Sequence, residues 1–360
     1  MINLQRRLDR IFSFTGVDAA LIVNTGLMDS NFLYLTGFPG GSFEGSVLIA
    51  GRGGVTLLTS MLEYQMAESL KPRGMEVLGV TKMADVRKEM KERLAGKRIG
   101  INGSFLPYNV YARISKITKP RSISDISAAF TSARQIKDSD EIELIGIANN
   151  IVKKAFSGIE ESLEAGMTER DAARKFNSAM MQYGADAPSF DTIVCFGKNS
   201  ASPHHMPTME RLSGNSLVLI DAGARYMGYC SDVTRTFIFK PEKKTDKYKR
   251  MRMMYETVEG AQQEALDHVR EGIYADKIHR IAERRINTSY GGAFKGRFIH
   301  ALGHSVGIDV HDGPGFSPSE HYRLKENMVI SNEPGVYVDG FGGVRIEDDL
   351  VVMKNGARYL

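Results

Sequence analysis

Residues 216–239 read Ser216-Leu-Val-Leu-Ile-Asp221-Ala-Gly223-Ala-Arg-Tyr-Met-Gly-Tyr229-Cys-Ser-Asp232-Val-Thr-Arg-Thr-Phe237-Ile-Phe239. An apolar run ends on Asp221, a glycine-bearing turn follows, and Tyr229–Phe239 returns with Asp232 near its head, so the segment predicts a β-hairpin. An acid that ends an apolar strand is costly unless it is paired or coordinated. Here two such acids stand on adjacent arms. Further along, Met328-Val-Ile-Ser-Asn-Glu333-Pro-Gly335 runs out and Gly343-Val-Arg345-Ile-Glu347-Asp348 runs back, which predicts Met328–Glu333 paired with Gly343–Val352. The two hairpins look like halves of one design.

Outward from them, apolar spacing predicts amphipathic helices at Glu141–Ser162, Thr168–Tyr183, Tyr248–Val269 and Tyr274–Asn287, with Thr168 as a cap. A strand is expected at Ser189–Phe196. The first part of the chain reads as short strands at Ala19–Val23, Phe32–Leu35, Ser46–Ala50, Val55–Thr59 and Arg98–Ile101, with helices at Glu63–Ser69 and Met83–Leu94. A charged stretch, Gln135 to Glu141, then leads into the first long helix. These patterns predict a mixed α/β (α+β) chain of two domains, residues 1–134 and 135–360.

Hydrophobic residues make up 42% and charged residues 25% of the 360, which excludes collagen-like and disordered readings. The net charge of +4 is too small and dispersed for a nucleic-acid footprint. No apolar stretch approaches the ~20 residues that cross a bilayer. Met1–Arg10 is polar and basic with no signal-peptide core behind it, and Cys195 and Cys230 form neither a disulfide framework nor a zinc-type spacing. The expected location is the cytoplasm. Charge is uneven, with 18 basic against 11 acidic residues through Arg134 and 29 against 32 thereafter, and all eight histidines lie in the second part. That is where metal or acid–base chemistry is expected.

Four strand-borne carboxylates that converge repel one another unless cations sit among them, and four single negative charges balance two divalent metals. Between the hairpins lies His300-Ala-Leu-Gly303-His304-Ser-Val-Gly307-Ile-Asp-Val-His311-Asp312. One imidazole from this segment would complete a five-ligand site, and two metals ~3.5–4 Å apart clamp a water that becomes a nucleophile near neutral pH. Hard oxygen donors with one nitrogen suit Mn(II), Co(II) or Fe(II), with Zn(II) also compatible. Singly, each residue has a structural explanation as a turn former or surface acid. Two Asp eleven apart, a His, then two Glu fourteen apart is the specific signal.

On these motifs the chain resembles the pita-bread metallopeptidases, in particular the branch of Xaa-Pro aminopeptidases and Xaa-Pro dipeptidases (prolidases). The resemblance spans essentially the whole chain and rests on Ile-Asp221-Ala-Gly, Ser-Asp232-Val-Thr-Arg-Thr-Phe, Gly-His304-Ser-Val-Gly, His311-Asp, Asn-Glu333-Pro-Gly and Val-Arg345-Ile-Glu347-Asp. It implies a carboxy-terminal pita-bread (creatinase/aminopeptidase-like) catalytic domain behind a smaller creatinase/prolidase-type α/β domain that mediates dimerisation and active-site closure. The Asp29-Ser-Asn-Phe-Leu-Tyr-Leu-Thr-Gly37 stretch resembles part of that smaller domain. By position, Asp221 would bind one metal, His304 and Glu333 the other, and Asp232 and Glu347 would bridge, with manganese or cobalt favoured. Glu333 is the implied general base. His204 is expected to hold substrate and His311 to donate to the oxyanion, while His205 and His300 are expected in neighbouring or packing roles. Arg345, two residues before Glu347 on the same strand, reads as a partner that orients a ligand carboxylate.

The resemblance implies hydrolysis of the bond between an amino-terminal residue and a following proline by a metal-bridging hydroxide, in a cytoplasmic homodimer. An X-Pro bond lacks an N–H, so its site needs shape and carbonyl polarisation. Prolidases of this type often carry an arginine right after His-acid-x-Pro, whereas here Gly315 follows Pro314. That departure weakens the dipeptidase reading and allows longer peptides, while Phe190 and the short amino-terminal domain look more prolidase-like. The competing reading is a non-catalytic binding or scaffold protein on the same fold, and retention of all five ligand residues runs against it.

Overall fold

The structure is a computed structural model that describes residues 2–360. Two compact units divide it, one ending at Gln135 and the other running Ile136–Leu360. The first contains α1 (Leu4–Ser13), β1 (Ala19–Val23), α2 (Ser30–Thr36), β2 (Val47–Gly51), β3 (Gly54–Ser60) and α3 (Met61–Leu70). It continues through β4 (Met75–Val80), α4 (Met83–Leu94), β5 (Arg98–Ile101), α5 (Tyr108–Thr118), β6 (Ser122–Asp125) and α6 (Ser127–Gln135). Its six strands form one mixed sheet in the order β4-β3-β2-β1-β5-β6. β1, β2 and β3 form an antiparallel meander, while the parallel pairs β3–β4 and β5–β6 are joined by α3 and α5, as parallel crossovers require.

Phe32–Leu35, expected as a strand, lies inside helix α2. All four side chains are buried, and a fully apolar run has no period to separate strand from buried helix. The ends decide it: the Asp29 side chain accepts from the Asn31 N–H, and Gly37 closes the helix with a φ of 68°. The basic segment Leu4–Ser13 is also helical. Leu4, Leu8, Ile11 and Phe12 share the buried face of α1.

The second unit contains α7 (Ser139–Ser162), α8 (Glu169–Gln182), β7 (Ala187–Pro188), β8 (Ile193–Phe196), β9 (Ser216–Ala222), β10 (Ala224–Tyr226), β11 (Tyr229–Cys230) and β12 (Val233–Phe239). Then come α9 (Asp246–His268), α10 (Ala275–Thr288), β13 (Val329–Asn332), β14 (Gly335–Val338), β15 (Gly342–Arg345), β16 (Asp348–Met353) and β17 (Gly356–Tyr359). Helices α7 and α8 bury their apolar faces against β8, β9 and β12, and α9 and α10 do the same against β13 to β16. The unit is thus two helix pairs, each packed on a bent hairpin, in the pita-bread arrangement.

Each hairpin breaks where its acids stand. β9 and β12 pair up to Ala222↔Val233, after which the same two arms continue as β10 and β11 in another sheet. A Cβ on Gly223 would lie 2.0 Å from the Ser231 carbonyl oxygen, so only glycine lets the arms close there. In the second hairpin the expected pairing of Met328–Glu333 with all of Gly343–Val352 is replaced by two ladders. β13 pairs with β16 up to Asn332↔Asp348, and β14 pairs with β15 from Gly335↔Arg345. Pro334 has no N–H for a ladder, and the break it marks leaves Glu333 and Glu347 free to turn inward.

Candidate active site

Those breaks aim four carboxylates at one cavity of about 350 Å³, where His304 meets them from the segment after α10. Donor atoms of Asp232, His304 and Glu347 all lie within 4.8 Å of one another. His304 Nε2 is 3.5 Å from Asp232 Oδ2 and 3.4 Å from Glu333 Oε1. Asp221 completes the set from β9. The five expected ligand residues therefore face one space.

Asp221, Asp232 and Glu347 are buried, and each keeps one carboxylate oxygen without a hydrogen-bond partner. An orphaned, buried carboxylate oxygen is a standing cost that a cation removes. The donor set thus fits divalent metal. Burial, joined by repulsion from Glu347 and Asp221, pushes Asp232 well above the usual carboxylate range. Burial, joined by repulsion from Glu333 and Asp221, likewise raises Glu347, and burial carries Glu333 to about 8 even though Arg345 opposes it. Burial, with His311 adding, lowers His304 to about 4, so its ring is neutral near pH 7, as a metal ligand requires.

Spacing places Arg345 beside Glu347, but the strand ends at Arg345 and its guanidinium crosses to the other hairpin. Its Nη2 donates to Asp221 Oδ2 at 2.6 Å, Nε to Thr234 Oγ1 at 3.2 Å and Nη1 to the Tyr337 hydroxyl at 2.8 Å. Burial works against its charge, yet Tyr337, Asp221, Glu347 and Glu333 hold the group well above its usual pKa. Thr234 in turn donates to Glu347 Oε2 at 2.6 Å, and Ser331 donates to Glu333 Oε1 at 3.2 Å.

His204 and His311 both line the cavity and are exposed, with the His311 ring 4.0 Å from that of His304. His300, expected in a neighbouring or packing role, also lines the cavity. Its Nε2 lies 2.9 Å from the Tyr337 hydroxyl, which makes a chain from His300 through Tyr337 and Arg345 to Asp221. His205 points away, to Glu169 at 2.9 Å. Tyr337, Thr234 and Ser331 escape a sequence reading because hydroxyl residues alternating along strands carry no spacing signal. Thr234 and Ser331 do stand two residues from Asp232 and Glu333, and period two puts such pairs on one face.

The pKa directions carry an expected result for metal-stripped protein. Glu333 keeps its proton to about pH 8 when folded against 4.5 ordinarily, so across that window the folded state binds more protons and stability falls as pH rises. Asp349, raised by burial to about 7, acts with the same sign. His304 and His300, lowered to about 4 from 6.5, oppose this only below pH 6.5. From pH 6.5 to 8 the Tm should therefore drop by roughly 3–6 °C, and restoring divalent metal should remove the drop. A thermal melt series that is flat or rising without metal contradicts the assignment.

A buried carboxylate–imidazole cluster in a bent double hairpin defines a hydrolase of the metal-dependent pita-bread class. The chain belongs to metallopeptidase family M24, whose pattern matches residues 143–354, and the creatinase/prolidase N-terminal domain matches residues 5–136. A Pyrococcus horikoshii protein described as an Xaa-Pro dipeptidase is 34% identical, over 99% of this chain and 97% of its own. Among solved structures, the prolidase from Pyrococcus furiosus superposes with a TM-score of 0.83 at 32% identity, covering 95% of this chain and 96% of that one. The X-Pro aminopeptidase from Thermotoga maritima superposes at 0.87 with 29% identity, covering 98% and 97%. No helix among the described residues is long and apolar enough to cross a membrane.

Proposed function

We propose that this chain hydrolyses the bond between an amino-terminal residue and a following proline, with two divalent metals held by Asp221, Asp232, His304, Glu333 and Glu347. The observation that carries this reading is the convergence of four carboxylates and a neutral imidazole, three of the acids each keeping an unpartnered oxygen. When bound, such metals polarise the scissile carbonyl and make water a nucleophile near neutral pH. Manganese and cobalt suit the donors, with iron and zinc also compatible.

The chain's own groups do the rest. Proline's nitrogen carries no proton in the peptide and must gain one to leave. Glu333 is assigned to take a proton from water and return it to that nitrogen. His311 is assigned to donate to the oxyanion and His204 to hold the substrate carbonyl. Arg345 holds the Asp221 carboxylate in place. His311→Ala is expected to keep its metal and lose roughly 10²–10³-fold in kcat. Unchanged turnover would remove His311 from the mechanism.

Peptides longer than two residues are the favoured substrates. A Cβ on Gly315 would lie 2.2 Å from the Gly303 carbonyl oxygen and 2.3 Å from His304 Cα, so this position carries no side chain to grip a dipeptide's carboxylate. Comparing an X-Pro dipeptide with the matching tripeptide tests this: the tripeptide should be the better substrate, and cleavage of the dipeptide alone would overturn it. We place the protein in the cytoplasm, consistent with its two buried free thiols, Cys195 and Cys230. We also read it as a homodimer, as its resemblance to the creatinase/prolidase-type domain implies.

A further inference from the structure

Thr168 caps α8, its hydroxyl accepting from the Asp171 N–H at 3.1 Å, and Glu169 takes the first helical position, where the helix dipole favours a carboxylate. The Glu169 side chain is 0% exposed. Such a charge is costly without partners, and Glu169 gathers five. Its Oε1 accepts from the Phe196 N–H at 2.8 Å and from Asn199 Nδ2 at 2.9 Å. Its Oε2 lies 2.9 Å from His205 Nε2 and accepts from the Thr208 N–H at 2.9 Å and the Thr208 hydroxyl at 2.7 Å. Burial alone would raise this carboxyl, but the bonds from His205, Thr208, Phe196 and Asn199 outweigh it and hold the group below its ordinary range.

All five bonds come from residues 196–208. This segment leaves β8, makes a short 3₁₀ turn at Gly197–Ala201 and carries Pro203 and His204 to the cavity. Its other side is seated on the second hairpin. Ser200 Oγ accepts from the Gly343 N–H at 2.8 Å, and a Cβ on Gly343 would come within 2.1 Å of the Ser200 carbonyl oxygen. Arg345 Nη2 reaches the Pro203 carbonyl at 3.4 Å. The His204 ring is exposed at the cavity, so its position depends on the backbone that carries it.

We infer that Glu169 is a positioning residue for His204, holding the 196–208 segment by one buried carboxylate so that His204 faces the substrate. The inference rests on the peptidase reading of the cavity and adds a residue that touches neither the substrate nor the five candidate ligands. It also gives His205 a part: its ring is one of the ties between the segment and Glu169.

Glu169→Gln keeps the shape but replaces one acceptor oxygen with a donor facing other donors. It should lower kcat/KM for an X-Pro tripeptide by about 10–100-fold, the scale of a misplaced contact group. In a His204→Ala background the same substitution should change kcat/KM by less than about twofold, because the group it places is gone. A loss that adds in full to that of His204→Ala would make Glu169 a general stabiliser and overturn the proposal. His205→Asn removes a single tie and should act in the same direction more weakly, which keeps the test open if Glu169→Gln does not fold. Independently of activity, the zinc-loaded full chain can be labelled at histidine Cε1, and the His204 resonance identified by its loss in His204→Ala. It should shift or broaden in Glu169→Gln while that of His279, buried against Phe298, stays put. An unmoved His204 resonance overturns the inference. If the wild-type chain cleaves no X-Pro peptide, the peptidase reading fails and the spectrum alone decides the role of Glu169.

Discussion

Asp232→Ala should reduce X-Pro hydrolysis by roughly 10³-fold or more, since a metal centre supplies several kcal/mol of transition-state stabilisation and each 1.4 kcal/mol is tenfold. Asp232 Oδ2 stands 3.5 Å from His304 Nε2, its Oδ1 is buried without a partner, and its N–H is held by Asp349 Oδ2 at 3.0 Å. Its backbone is therefore fixed independently of its side chain, so the substitution removes a ligand without moving the hairpin. Bound metal should fall below two per chain. Stability without metal should move the other way. Asp232 shares its space with Glu347, Asp221 and Glu333, all of which raise its pKa, so losing it relieves repulsion. The stripped variant should melt no lower than stripped wild type. An active variant with a full metal complement would remove Asp232 from the site.

Arg345→Met should produce the largest loss of stability. Its guanidinium is 3% exposed, pairs with Asp221 at 2.6 Å and also bonds Thr234 and Tyr337. Breaking a buried pair by removing one partner costs about 3–5 kcal/mol because the other charge stays buried. In metal-stripped protein that corresponds to a Tm lowered by roughly 6–20 °C. With divalent metal restored the drop should shrink, because a cation then faces Asp221. Arg345→Lys should recover part of the loss, keeping the charge but not the fork that reaches Thr234 and Tyr337 together. A stripped Arg345→Met protein that melts with wild type would show the pair to be dispensable.

The candidate site was legible because its acids interrupt apolar strands. Asp221 stands two residues before Gly223 and Glu333 directly before Pro334, while Asp232 and Glu347 stand on the returning arms, and a carboxylate at such a point of an apolar hairpin is conspicuous. The geometry of the break was not legible. Period two describes Gly343–Val352 as one strand, and only the register shows the arm changing sheets between Arg345 and Asp348. The spacing gives Arg345 a ligand carboxylate to orient but not which one, and the guanidinium reaches Asp221 on the other hairpin. In the first unit, Phe32–Leu35 reads as a strand yet forms helix, because a buried apolar run fits either. Glu169 gave no signal at all: an acid in a first helical turn looks like a dipole partner, and its five bonds come from residues 27–39 positions away.

The central claim is a two-metal centre that cuts X-Pro bonds, and a metal titration tests it most directly. Stripped protein would receive Mn(II), Co(II) or Zn(II) in measured steps while bound metal and hydrolysis of an X-Pro tripeptide are followed together. Bound metal should saturate at two per chain, with cleavage appearing for at least one of these ions. No cleavage with any of them, or saturation at a single ion, would contradict the account.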